Sequence, residues 1–170
     1  IKDRFFKKVF DPAYTKEIWI YGLDDDDVFE VDTEASSIKV RLVGGQNNDV
    51  YKISERSRNV FAYDSKSKKN TFDEAYGGKI NLVNDYDTNT YQFLKIKSSN
   101  NQLLPTLGFN PDDGFRIGLT DTYTFNGFRQ NPFTQQHTFN AAYYFATNGF
   151  DIGYTGEFAH IFNKVNLELK

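Results

Sequence analysis

Two stretches of this chain follow one pattern: "IYGLDDDDVF" at residues 20–29 and "LVGGQNNDVY" at residues 42–51. Each runs from apolar residues through a glycine and several short acidic or amide side chains to Asp, Val and an aromatic residue. The two stretches superimpose at a spacing of 22 residues when Gly22 is aligned with Gly44. A weaker third copy follows around Val60. The pattern predicts successive coils of a small β-solenoid or roll, and two similar hairpins in an ordinary sheet are the alternative.

The two turns also resemble the calcium-binding nonapeptide G-G-x-G-x-D-x-U-x, in which U is a large apolar residue. Asp25, Asp27, Asn47 and Asp49 are therefore candidate calcium ligands, because calcium takes carboxylate and amide oxygens. The 22-residue spacing differs from a tandem series of nonapeptides, and a solvated acidic turn without metal is the alternative. Repulsion among four adjacent carboxylates is a cost that a bound cation would relieve.

Composition favours an all-β chain and excludes several kinds of site. The 170 residues include 17 Phe and 11 Tyr, which favour strands over helices. The net charge of −3 gives no indication of a nucleic-acid partner. Cysteine is absent, so the chain has no disulfide, thiolate zinc site or cysteine nucleophile. The chain begins at Ile1 and contains no methionine, so we expect a fragment or a processed product.

After Pro105 the sequence alternates between apolar and polar residues. One row of "FRIGLTDTYTF" is apolar and the other is small or polar, and "TFNAAYYFA", "FDIGYTGEF" and "KVNLELK" repeat this alternation. The apolar row comprises Phe115, Ile117, Leu119, Tyr123 and Phe125. The pattern predicts antiparallel hairpins of a partial transmembrane β-barrel, with a soluble antiparallel sheet on a core as the alternative. Asp121 interrupts the apolar row, and a bulge there, or a strand already leaving the hydrocarbon, would remove the conflict.

This change of pattern divides the chain into two predicted domains. Residues 1–103 are predicted to form a β module with two to three repeats and a linker. Residues 104–170 are predicted to form the first barrel strands, which are too few to close a barrel alone.

Several long phrases resemble one family of Gram-negative envelope proteins. They are "TKEIWIYGLDDDDVFEV", "IKVRLVGGQNNDVYKI", "LPTLGFNPDDGFRIGL" and "NPFTQQHTFNAAYYFATNGFDIGYTGEF". The family joins a calcineurin-like metallophosphoesterase domain to a C-terminal outer-membrane barrel of the BamA-like, bacterial surface antigen type. The resemblance implies that this chain is the linking β module plus the first barrel strands. It also implies contact with outer-membrane lipid and envelope proteins, in a barrel class linked to outer-membrane assembly or translocation.

No catalytic residue is predicted in this chain. The metal-binding signatures of such phosphoesterases, for example Asp-x-His and Gly-Asp-x-x-Asp, are absent, and the only histidines are His137 and His160. A G-x-S-x-G elbow and a phosphate-binding glycine loop are absent as well. We therefore expect a non-catalytic segment that anchors and orients an upstream domain. One alternative is the C-terminal part of a metallophosphoesterase whose active site lies upstream, and another is a soluble calcium-stabilised β binding module.

Loop lengths give a predicted topology. "ATNG" at residues 146–149 is a tight turn, whereas residues 126–136 form a longer polar connection. Outer-membrane barrels have short periplasmic turns and longer extracellular loops. We therefore expect residues 146–149 in the periplasm and residues 126–136 outside. Strand direction then puts Pro105 and the N-terminal module on the periplasmic side.

We predict that the chain alone hydrolyses no phosphoester above background, because the two-metal signatures are missing. The assay uses p-nitrophenyl phosphate and its diester with manganese present, and an established metallophosphoesterase serves as the positive control. Turnover that disappears in a His137→Ala or His160→Ala variant would contradict this prediction.

Overall fold

The computed structural model describes residues 6–33, 36–73, 77–95, 97–162 and 165–170. The described residues are nearly all in strands or turns, which confirms the prediction of an all-β chain. They form one four-residue α-helix, α1 (Tyr86–Asn89), and one 3-10 turn at Phe93–Lys95. No helix in these ranges is both long enough and apolar enough to span a membrane.

The chain divides into two compact units between Tyr91 and Gln92. We refer to Ile1–Tyr91 as unit 1 and to Gln92–Lys170 as unit 2. The boundary lies before the one predicted between residues 103 and 104, because the first strand of unit 2 already begins at Asn100.

Unit 1 contains two parallel sheets, and consecutive strands alternate between them. The first sheet has the order β1 (Glu17–Tyr21), β3 (Lys39–Val43), β5 (Val60–Asp64) and β7 (Lys79–Leu82). The second has the order β2 (Val28–Val31), β4 (Val50–Ile53) and β6 (Thr71–Phe72). Because the pairs are parallel, the two stretches that share the pattern are not antiparallel hairpins.

The strand register reproduces the sequence spacing. Ile18 pairs with Val40 in the first sheet, and Val28 pairs with Val50 in the second, so both pairs join residues 22 apart. The next spacing between paired strands is shorter, since Val40 pairs with Val60 and Val50 with Thr71. This shortening explains why the third copy is out of step with the first two.

The core of unit 1 lies between its two sheets. It contains residues from strands of both sheets, including Leu42 of β3 and Ala62 of β5. At its centre the ring of Tyr51 stacks between Phe29 and Phe72, with ring centroids 5.1 and 4.9 Å apart. The three rings stack because they occupy the same register position on β2, β4 and β6. Each aromatic pair adds roughly 0.5–1.5 kcal/mol beyond its buried area.

Unit 2 is one open antiparallel sheet of five strands in the order β12-β11-β10-β9-β8. The strands are β8 (Asn100–Asn110), β9 (Gly114–Phe125), β10 (Gln135–Tyr144), β11 (Gly149–Phe162) and β12 (Val165–Leu169). The predicted antiparallel hairpins are therefore present. The described strands do not close into a barrel, since β8 and β12 form the two edges of the sheet.

The sequence pattern does not indicate strand β8, because a proline such as Pro105 normally ends a strand. Proline has no backbone N–H to donate, yet it is tolerated within β8 because this strand lies at the edge of the sheet. Asn100 pairs with Thr124, and Asn110 pairs with Gly114. The chain therefore enters unit 2 at the end that carries loop 126–134. The inference that Pro105 begins the barrel at the end carrying turn 146–149 is wrong.

The segment before β8 is bound to loop 126–134. The Lys97 backbone amide donates to Gln130 Oε1 at 2.6 Å, and Lys97 Nζ donates to the Pro132 carbonyl at 3.0 Å. The Asn126 amide donates to Ser99 Oγ at 3.0 Å. Gln130 is only 3% exposed. These hydrogen bonds hold loop 126–134 against the linker at residues 97–99, so the loop does not extend freely into solvent.

Candidate functional site

The acidic turns of unit 1 stack on one another because the strands that flank them pair in parallel. The Gly22 amide donates to the Val43 carbonyl at 2.9 Å, and the Gly44 amide donates to the Tyr63 carbonyl at 3.1 Å. Successive turns therefore start at the same level of the sheet, and their side chains can reach the backbone of the neighbouring turn.

Two ladders of side-chain hydrogen bonds join the stacked turns. In the first, the Asp27 amide donates to Asp49 Oδ1 at 2.8 Å, and the Asp49 amide donates to Asn70 Oδ1 at 2.9 Å. Each oxygen satisfies a turn amide, a common role of Asp and Asn side chains. The first ladder explains the Asp before β4 and the Asn before β6, whereas Asp27 before β2 contributes only its backbone amide.

The second ladder runs in the opposite direction along the stack. The Asn48 amide donates to Asp26 Oδ1 at 3.1 Å, and the Lys69 amide donates to Asn48 Oδ1 at 2.9 Å. Together the two ladders cap turn amides from both neighbouring coils. The recurring acidic and amide residues thus have a structural role that requires no metal.

Glycine is required where a carboxylate lies against the turn backbone. A Cβ atom at Gly22 would lie 2.3 Å from Asp27 Oδ2, and one at Gly44 would lie 2.2 Å from Asp49 Oδ2. Any side chain at either position would displace the carboxylate below it. The shared glycine and aspartate of the two turns are therefore one packing unit.

Asp64 joins this cluster, and the sequence pattern did not identify it. It is fully buried, accepts a hydrogen bond from Tyr51 Oη at 2.7 Å, and approaches the same face of Gly44 as Asp49 does. Val43 pairs with Tyr63, so Asp64 occupies in the third coil the register position that Gly44 holds in the second. In the sequence, the only indication of this role is that an aspartate stands where the two earlier turns have glycine.

The predicted calcium ligands are only partly brought together. Asp27 and Asp49 are joined by the hydrogen bond described above. Asp25 is exposed with a φ of 78°, and Asn47 is partly exposed. No hydrogen bond between described residues joins Asp25 or Asn47 to that pair. Within the described ranges, no group of three or more His, Cys, Asp or Glu side chains has an arrangement that could hold a metal ion.

The electrostatics of the cluster favour the neutral form of Asp49. Its pKa is raised to about 6 because the carboxyl group is buried and lies close to the negative charges of Asp64 and Asp26, while the hydrogen bond from the Asp27 amide opposes this effect. Burial and the charge of Asp49 also raise the pKa of Asp27. Asp27 Oδ2 and Asp49 Oδ2 are buried and accept no hydrogen bond from the described residues, and a protonated Asp49 side chain would form a hydrogen bond with Asp64. A proton or a cation would stabilise either oxygen.

Unit 2 carries a second candidate site, which is the apolar face of its sheet. The apolar row of β9 is exposed, and its register partners on the same face include Leu107, which is 69% exposed, and Ile152, which is 80% exposed. Among described residues, every hydrophobic residue that is fully buried lies in unit 1. The sheet of unit 2 therefore has a large apolar face and no core of its own.

The apolar face is ordered along the strand direction. Its middle level is aliphatic and contains Pro105, Leu119, Ala141 and Ile152, and the next level places Leu107 and Ile117 beside Tyr143. At the end with the short turns, Tyr143 contacts Phe145 and Phe150, each with ring centroids 5.0 Å apart. At the other end, aromatic contacts join Phe139 to Tyr154 at 4.8 Å and His137 to Phe158 at 5.4 Å. Two aromatic groups therefore flank an aliphatic band.

Asp121 lies on this face without a bulge. It pairs in unbroken register with Phe139 on one side and Leu103 on the other. The proposed bulge is therefore wrong. Asp121 lies level with the second aromatic group rather than with the aliphatic band.

Comparison with known proteins gives no relative: no family model, curated protein or solved structure matches this chain.

We predict that Asp49→Asn stabilises unit 1 at neutral pH. The pKa of Asp49 in the folded chain, about 6, is above its ordinary value of 3.8. The native state therefore binds more protons than the unfolded state between these values, and stability falls as the pH rises from about 4 to about 6. The variant keeps Oδ1 for the Asp27 amide but carries no charge. Urea unfolding should show a gain on the order of 2 kcal/mol at pH 8 and little gain at pH 4.

Asp24→Asn is the matched control for this experiment, because Asp24 is an exposed carboxylate in the neighbouring turn. It should change stability little at either pH. A destabilised Asp49→Asn variant at pH 8 would contradict the assigned cause of the shift.

We also predict that calcium raises the melting temperature of unit 1, if the two unpaired carboxylate oxygens contribute to a site. A ligand of the native state adds RT ln(1 + [L]/Kd), about 2.7 kcal/mol at a hundredfold excess over Kd. The effect should be absent in Asp49→Asn and retained in Asp73→Asn, which alters an exposed carboxylate after β6. An unchanged melt between millimolar calcium and chelator would reject the site.

Proposed function

We propose that unit 2 is part of a transmembrane β-barrel in an outer membrane, and that the chain anchors and orients an upstream domain there. The observation that carries this proposal is the exposed apolar face of a sheet that lacks a core. A soluble antiparallel sheet normally packs one apolar face against other elements. In unit 2 that apolar face is exposed, and lipid acyl chains match its chemistry best.

The order of residues on the face supports lipid rather than a protein partner. Outer-membrane barrels show an apolar band ~25 Å tall between two girdles of aromatic residues. Along β9, the first aromatic group lies level with Ile117 and the second with Asp121, so four residue steps, ~13 Å at ~3.3 Å per residue, separate them, and the face shows the same order over a shorter height. The opposite face suits a polar lumen, since Gly118, Thr120 and Thr122 lie on it.

The two sheet edges set a further condition for this role. Unpaired backbone groups at β8 and β12 are not tolerated in hydrocarbon. Closure therefore takes further strands, and five are fewer than the eight of the smallest bacterial barrels. We propose that the closed barrel belongs to the class linked to outer-membrane assembly or translocation, with outer-membrane lipid and envelope proteins as its partners and no nucleic acid.

Unit 1 has the connecting role in this proposal. Alternation of consecutive parallel strands between two sheets, at a repeated spacing, supports a short β-roll. Such a module is rigid along its stack and suits a spacer between a membrane anchor and an upstream domain. We propose no catalysis in this chain, and a metallophosphoesterase site would lie upstream.

A calcium-stabilised module is the second candidate function for unit 1. The specific observation in its favour is that Asp27 Oδ2 and Asp49 Oδ2 are buried without a hydrogen-bond partner in the described structure. Calcium would supply the missing positive charge. The two proposals are compatible, because the cation would stabilise the spacer.

Strand β8 makes two of the expected locations incompatible. The linker at residues 97–99 and loop 126–134 lie at one end of the sheet, and turn 146–149 lies at the other. A periplasmic turn 146–149 and a periplasmic N-terminal module therefore cannot both hold. We retain the periplasmic module and propose that turn 146–149 faces outside. The length of loop 126–134 then reflects its packing on the linker rather than an extracellular position.

We predict that Thr147→Cys reacts with an impermeant maleimide in intact cells and that Ser98→Cys does not. Both positions are exposed, and the chain has no native cysteine. Permeabilised cells should label both variants, which controls for reactivity. Labelling of Ser98→Cys alone would invert the topology. Equal labelling of both in a detergent-free soluble monomer would end the barrel proposal.

A further inference from the structure

A cavity of ≈ 350 Å³ opens at one edge of unit 1. It is lined by the segments that follow β3, β5 and β7, which are neighbours in the first sheet. Parallel strands end at the same edge of a sheet, so the turns that leave them converge, and such edges often bind ligands. The acidic cluster and the membrane proposal do not use this cavity.

Hydrogen bonds fix the wall of the cavity in place. Asn84 Oδ1 accepts from Ser65 Oγ and from the Ser67 amide, both at 3.0 Å. Asp85 Oδ2 accepts from the Thr88 amide at 3.2 Å. Side chains held in this way lose little freedom when a ligand binds.

The chemistry of the lining selects a neutral ligand rich in hydroxyl groups. The described lining residues include amides and hydroxyls, together with one cation and one anion, Lys68 and Asp85. None of them is Val, Leu, Ile, Met or Phe, so the apolar part of the lining comes from Tyr86 and from carbon atoms of polar side chains. One lysine and one aspartate in the lining also give no net charge for an anion such as phosphate.

Tyr86 and two buried oxygens complete the site. Tyr86 lines the cavity and is 62% exposed, so its ring offers an apolar face next to polar groups. Asn89 Oδ1 and Thr90 Oγ1 belong to lining residues and are buried without a hydrogen-bond partner in the described part of the chain. A ligand hydroxyl group bonded to either oxygen would supply the missing partner.

We propose that this cavity binds a neutral sugar. A pyranose ring stacks its C–H face on Tyr86, and its hydroxyl groups bond to the amide and hydroxyl side chains of the opposite wall. The volume lies near the lower limit for small-molecule pockets, so a mono- or disaccharide unit fits rather than a longer buried glycan.

The test uses the full chain, labelled with ¹⁵N, in a zwitterionic detergent. Alkyl glycoside detergents are avoided because they carry the proposed ligand group. Methyl β-D-glucopyranoside, N-acetylglucosamine and inorganic phosphate are titrated separately. We expect at least one sugar, and not phosphate, to shift the amide signals of residues 84–90 in a saturable way.

Two substitutions separate stacking from folding. Tyr86→Ala should weaken sugar binding about tenfold or more, the loss of roughly one stacking contact, whereas Tyr86→Phe keeps the ring and should bind as the parent chain does. Tyr14→Ala is the matched control, because Tyr14 is an exposed tyrosine of unit 1 that does not line the cavity. All three variants should melt at the parent temperature.

Three results would overturn the proposal. The first is that neither sugar shifts these amides at millimolar concentration. The second is that phosphate saturates the same amides and the sugars do not. The third is that Tyr14→Ala weakens binding as much as Tyr86→Ala does.

Discussion

A β-sheet with one apolar face has to cover that face, and the two units of this chain meet the requirement differently. In unit 1 the chain alternates between two parallel sheets, so Leu42 and Ala62 from one sheet meet Phe29 and Tyr51 from the other in a shared core. Unit 2 has a single sheet, and its apolar face stays exposed. Unit 1 therefore covers its core with its own residues, whereas none of the described residues covers the apolar face of unit 2. Our proposal supplies lipid as that missing component.

The stacked turns show how one short motif serves structure and electrostatics together. Glycine leaves room for a carboxylate against the backbone, and that carboxylate caps an amide of the neighbouring coil. The same packing buries Asp49 beside Asp64, which raises the pKa of Asp49 to about 6. The buried negative charge of Asp49 thus destabilises the turn, and a proton or a cation would remove this unfavourable interaction. Its structural role stands whether or not a cation binds, because the capping bonds use the other carboxylate oxygen.

The sequence predicted what depends on periodicity and missed what depends on register. The spacing between Gly22 and Gly44 and the apolar row of β9 both reappear in the structure. Asp64 was missed because it substitutes for glycine in the third coil, a relation visible only once Val43 is paired with Tyr63. Strand β8 was missed because proline normally ends a strand, and only an edge position permits it. The pattern match to a calcium loop likewise could not tell that Asp25 is exposed while Asp49 is buried.

The most direct test of the account asks what the apolar face of unit 2 contacts. Leu119→Cys and Thr120→Cys place a thiol on opposite faces of β9 at adjacent positions, in a chain without native cysteine. Each substitution is made in the full-length protein, and the thiol is labelled with an environment-sensitive fluorophore. The labelled protein is reconstituted in lipid vesicles and exposed to a quencher confined to the acyl chains. The account predicts strong quenching at position 119 and little at position 120. Equal and weak quenching at both positions would contradict a lipid-facing sheet.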